Sequence, residues 1–102
     1  MIPKISSTSR FASSGNAPKW HHACAQHNVE RWTLYLRLIK RAEVPLYLHQ
    51  LVELWNNHRA ELDANRPDNH HHQHTVPGRE TVEDEVKYAL DKLIKAGALS
   101  EI

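Results

Sequence analysis

The sequence has one cysteine, Cys24, so no disulfide can form within the chain. A scaffold held together by internal cross-links is therefore excluded. It has three glycines, none of them clustered. That excludes a glycine-rich loop whose backbone amides cradle a phosphate. No apolar run approaches the ~20 residues that a membrane-crossing helix needs. Neither sign of charge dominates, because 13 Lys and Arg against 12 Asp and Glu leave a formal net charge of +1. No global field then drives the chain onto nucleic acid or lipid, and any recognition of an anion must come from a local patch.

Acidic residues are missing from the start of the chain, and the first carboxylate is Glu30. The segment 1–27 carries Lys4, Arg10 and Lys19, is rich in serine and contains Pro3, Gly15 and Pro18. It reads as a flexible basic tail, with a mitochondrial presequence as the alternative. Phe11 and Trp20 are the residues that could pin it to a core. The nine histidines are the other unusual feature. Their partial protonation below about pH 6.5 would make the protein distinctly basic.

What remains is 28–102, long enough for one domain with a single modest core. Asn28 is the expected cap of a first helix, with Glu30 in its first turn. Val29, Trp32, Leu36 and Ile39 recur at spacings of three and four, and Tyr35, Leu38 and Ala42 widen that stripe. Arg31, Arg37, Lys40 and Arg41 are assigned to the polar side. Pro45 ends this helix and is well placed as the first residue of a second one. There Leu48, Leu51, Val52, Trp55 and Leu62 repeat at helical spacing. Residues 65–80, NRPDNHHHQHTVPGRE, form a long polar loop punctuated by Pro67, Pro77 and Gly78.

Thr81 opens a third helix, and Asp84 completes an approximate capping box. Glu83, Asp84 and Glu85 meet the positive end of the helix dipole, and Lys92 and Lys95 meet the negative end. Val82, Val86, Ala89, Leu90, Leu93 and Ile94 make one apolar face. Gly97 is a left-handed stop, and Ala98, Leu99 and Ile102 form a short extended piece folding back on the core. The expected fold is mainly α: a small three-helix domain over 28–102 behind a flexible basic tail.

VKYALDKLIKAGAL, residues 86–99, resembles the third helix of winged-helix DNA-binding domains. Val86, Ala89, Leu90 and Leu93 match its stripe, Gly97 its stop, and Leu99 the residue entering the first wing strand. The likeness, taken over residues 82–99, implies a winged-helix-like DNA-binding fold. Three carboxylates at the start of this helix would repel phosphates. The expected nucleic-acid contacts are therefore Arg10, Lys19, Arg31, Arg37, Lys40 and Arg41. A second stretch, LYLRLIKRA at 34–42, resembles the Leu-Tyr-Arg helix of small mitochondrial assembly factors, with Leu36 standing between Tyr35 and Arg37.

Zinc accepts imidazole and thiolate, and two segments offer them: His70, His71, His72 and His74, and His21, His22, Cys24 and His27. Adjacent histidines cannot all reach one ion, and no paired-ligand spacing such as Cys-x-x-Cys occurs. No metal and no cofactor are expected. Cys24 on a tail lacks the fixed base and oxyanion donors that a nucleophile needs. Glu53 and Glu61 lie about two turns apart and make no acid–base pair. The chain is thus not expected to be an enzyme. Trp20, Trp32 and Trp55 read mainly as core, with room for one exposed aromatic anchor.

The leading functional expectation is a small regulator, of a kind common in phages, that binds DNA or a nucleic-acid-processing complex through its basic residues. The alternative is a protein-interaction module (an inhibitor, adaptor or assembly factor) docking through helices and aromatics. A small subunit of a mitochondrial complex is a further alternative. A possible homodimer, a cytoplasmic location with a mitochondrial one as the alternative, and no membrane association complete the expectations.

Overall fold

The strongest local signals lie at the C-terminal end, and the fold is most easily built from there. The computed structural model describes residues 3–20, 24–64 and 81–102. The expectations for the histidine-rich loop 65–80, with His70, His71, His72 and His74, and for His21 and His22 lie outside the described residues.

Helix α4 spans Val82–Lys95. Thr81 Oγ1 accepts from the Asp84 amide at 3.2 Å, and Asp84 Oδ2 accepts from the Thr81 amide at 3.3 Å. This is the reciprocal box expected from the sequence, and it satisfies amides that the helix geometry leaves unpaired. At the other end Gly97 takes φ +79°. The Ala98 amide donates to the Leu93 carbonyl and the Gly97 amide to the Ile94 carbonyl, both at 3.0 Å, closing a Schellman motif. Val86, Ala89, Leu90 and Leu93 are fully buried. The chain then enters strand β3, Leu99–Glu101.

Helix α1 spans Gln26–Arg41. It starts two residues before Asn28, and Ala25 occupies the cap with no side-chain hydrogen bond. Asn28 is inside the helix, and the first turn holds no acidic residue. Glu43, in the left-handed region at φ +59°, follows the helix and turns the chain. Pro45 does not begin a second helix. It precedes a two-residue strand β2, Leu46–Tyr47, and only then does helix α2, Leu48–Asn57, start. Gln50 Oε1 reaches back to accept from the Tyr47 amide at 2.8 Å. The stripe read as one helix from Leu48 to Leu62 is broken at His58, which leaves helical geometry at φ −118°, ψ 21°. A five-residue helix α3, Arg59–Asp63, follows and buries Leu62.

The largest departure from expectation is in the segment read as a flexible tail. Arg10–Ser13 forms strand β1, the centre of a three-stranded antiparallel sheet ordered β2-β1-β3. Phe11 pairs with Leu46 on one side, and Ser13 with Leu99 on the other. Phe11 is fully buried, and so are most side chains it meets in the core. Ser14 ties the segment further, its amide to the Ala98 carbonyl at 2.9 Å and its hydroxyl to the Gly97 carbonyl at 2.6 Å. The domain is thus mixed, with four helices and a small sheet among the described residues, rather than a three-helix bundle. Phe11 supplies part of the physical reason: burying one large aromatic ring contributes about 1.5–3 kcal/mol, and the ladder hydrogen bonds on both edges of the segment add to it.

The core lies between the inner face of the sheet and the helices. Tyr35 and Trp55 meet edge to face with ring centroids 4.8 Å apart. The Tyr35 hydroxyl donates to the Leu51 carbonyl at 2.6 Å, joining α1 to α2. Burial pushes that phenol well above its ordinary pKa, so it remains a donor at any physiological pH. Among the described residues no helix is long and apolar enough to cross a membrane.

Candidate nucleic-acid interface

The six cations expected to contact nucleic acid do not share one surface. Arg31 is removed from the set by its own burial, at 7% exposure. Its guanidinium donates to Glu85 of α4 at 3.0 Å and to Asp63 of α3 at 3.4 Å. Its Cζ lies 4.9 Å from the centroid of the Trp55 ring in α2, within cation–π range. One side chain of α1 therefore touches all three other helices. The assignment of Arg31 to the polar side overlooked a helical signal. Tyr35 and Ile39 lie four and eight residues further on, which puts Arg31 on the inward stripe. What the sequence could not supply was the pair of carboxylates that makes a buried cation tolerable.

Arg37, Lys40 and Arg41 do share a face. At spacings of three and four they line the outer side of α1, and all three are exposed. None of them makes an ion pair with a described residue. Arg10 is exposed on β1, where its backbone exchanges hydrogen bonds with Ile102 and its Cα faces Tyr47. Lys19 stands elsewhere, with its amide bonded to the Ala96 carbonyl at 2.9 Å beyond the end of α4.

Helix α4 presents a different electrostatic surface. Lys87 pairs with Glu83 at 3.3 Å and Lys95 with Asp91 at 3.1 Å, each one turn apart. Asp84 is occupied in the cap and Glu85 turns inward to Arg31. The carboxylates that were expected to repel phosphate are thus mostly engaged within the fold. The helix offers a near-neutral face rather than a basic one.

A groove of about 660 Å³ opens between the segment leading into α1 and the C-terminal end of α4. Trp20 and Trp32 form its aromatic part, with ring centroids 5.7 Å apart and planes tilted by 32°. Lys19, Lys92 and Lys95 stand around it, Cys24 lines it, and among the described residues no carboxylate does. Sequence reading had named the tryptophans and Lys19 separately, but nothing local says that residues 19–20, 24–32 and 92–96 meet. Among the described residues no cluster of His, Cys, Asp and Glu could hold a metal ion. No protein-family model, no curated protein and no solved structure matches the chain.

Proposed function

We propose that the protein is a small non-enzymatic regulator that binds nucleic acid through the outer face of α1. The observation that carries this reading is the contrast in charge between two exposed helix faces. On α4 the lysines Lys87 and Lys95 are each paired to a carboxylate one turn away, whereas Arg37, Lys40 and Arg41 are exposed on one side of α1 with no partner among the described residues. Cations held free on a rigid helix are available to displace counterions from a phosphate backbone. The order of elements adds support to the winged-helix resemblance. After β1, helix α1, strand β2 and helix α2 are followed by the short α3, then α4 and strand β3, and the sheet is antiparallel. In this reading β1 takes the place beside β3 that the return strand of a wing would fill, and α4 serves the core more than the ligand.

Binding of a labelled random-sequence DNA duplex, followed by anisotropy across a salt series, tests the proposal. Three phosphate contacts predict a slope of log K against log salt of about −2.7. The Arg37→Glu/Lys40→Glu/Arg41→Glu variant is expected to remove binding without changing the fold. No binding of the parent chain at low salt, or equal binding by the variant, overturns the reading.

The alternative, an interaction module or homodimer, is favoured by one specific feature. The large apolar side chains most exposed among the described residues are Val44 at 59%, Tyr47 at 40% and Ile102 at 59%. Tyr47 and Ile102 flank Arg10 across the sheet. Sedimentation that depends on protein concentration, and is abolished by Tyr47→Ser, would support it.

A further inference from the structure

We infer that the groove between α1 and the end of α4 is a docking site for an acidic peptide segment carrying bulky apolar side chains, independent of the nucleic-acid face. Three observations on the groove fix the chemistry of its occupant. Its concave space of about 660 Å³ is built around Trp20 and Trp32. That is a volume suited to one or two large side chains and is mostly apolar, as anchor pockets are. The charged groups that line it among the described residues are all of one sign. Lys19 and Lys92 make no ion pair with a described residue, Lys95 shares Asp91 at 3.1 Å, and no carboxylate among the described residues lines the space. An occupant must therefore bring negative charge next to its apolar groups. The walls are also tied together, since the Lys19 amide donates to the Ala96 carbonyl at 2.9 Å. The two sides thus do not need to be assembled by the ligand.

A single-stranded nucleic acid is the other polyanion with flat apolar parts, and the groove suits it less. Trp32 is buried and Trp20 lies tilted against it, so the two rings do not form a row of open faces on which successive bases stack. The cations are all lysines, which act as point charges toward carboxylates in any orientation. Among the described residues, the planar arginine fork that favours phosphate is absent from the lining. The groove cations also lie apart from Arg37, Lys40 and Arg41. One molecule could therefore hold a nucleic acid and an acidic protein segment together.

The test uses the full chain and a labelled synthetic peptide alternating Glu and Asp with Phe and Leu. Saturable binding by anisotropy is expected, together with slower alkylation of Cys24 in the bound state. Lys19→Glu/Lys92→Glu is expected to weaken binding about tenfold or more. Lys19→Gln/Lys92→Gln, which adds no negative charge to the last turn of α4, should shift affinity in the same direction by less, and keeps the test open if the first variant does not fold. Equal binding by a peptide with Ser in place of Phe and Leu overturns the inference. So does unchanged affinity in the lysine variants, or displacement by oligothymidylate at lower concentration than by unlabelled peptide. The Arg37→Glu/Lys40→Glu/Arg41→Glu variant should bind the peptide like the parent, so this result and the duplex result are read separately.

Discussion

Helices α1 and α4 have similar sequences in outline, each amphipathic and each closed by basic residues in the last turn, yet they are finished in opposite ways. α4 settles its own needs locally. Its first amides are capped by Thr81 and Asp84, its last carbonyls by the turn at Gly97, and two of its lysines, Lys87 and Lys95, by carboxylates one turn away. α1 leaves these needs to other parts of the molecule. Its cap is an alanine, its one buried charge is matched by carboxylates from α3 and α4, and its outer cations have no partner among the described residues. Along its outer face such a helix has little unpaired charge to offer a ligand, and what α4 does offer is confined to its last turns beside the groove. A helix that depends on its neighbours inside and keeps free charge outside is the better candidate for binding.

That contrast can be broken or sharpened by mutation. The largest effect is expected from Phe11→Ala, which empties a fully buried site in the core that both helices share and should cost about 3–4 kcal/mol in urea unfolding. Hydrogen exchange should show α1 and α4 losing protection together. Retention of protection in α4 alone would mean that its self-sufficiency extends to independent stability. Next comes Arg31→Ala, which leaves Glu85 and Asp63 without their shared cation and removes the group over Trp55. A loss of about 2–4 kcal/mol is expected, and a loss under ~0.5 kcal/mol would mean α1 does not depend on this contact. Exchanging the caps is a smaller and more direct comparison. Thr81→Ala should cost about 1 kcal/mol, whereas Ala25→Ser should stabilise by about 0.5–1 kcal/mol, both read from thermal unfolding. Smallest is Lys87→Ala, which removes one surface pair of α4 and should change stability by only about 0.3 kcal/mol.

The same contrast explains which parts of the molecule could be read in advance. α4 was legible residue by residue, from Thr81 to Gly97, because every interaction that defines its ends is made within a few positions of sequence. The inward stripe of α1 was legible for the same reason, but Arg31 on that stripe was not, because its partners Asp63 and Glu85 lie 32 and 54 residues away. β1 left almost no trace. It has four residues, RFAS, with one large apolar side chain, and it becomes a strand only through partners near residues 46 and 100. β2 was hidden because Leu46 and Tyr47 fit the start of a helix as well as a strand, and no Gly or Pro marks the break at His58. For the candidate sites, the cations of α1 could be named from sequence and the groove could not. A helix face is a local object, whereas the groove is assembled from three separate stretches.

Placing β1 in the middle of the sheet has a consequence for the order in which the chain is made. Phe11 is synthesised before either of the strands it pairs with, and the β3 residues that close the second edge of its strand follow about ninety positions later. At ~5–20 residues per second, β1 waits roughly 5–20 s with an edge uncovered. A long, uniformly apolar strand held open for that time would invite pairing with a neighbouring nascent chain. A short one with a single aromatic residue between arginine and small side chains does not, so the weakness of β1 as a sequence signal also protects it during synthesis.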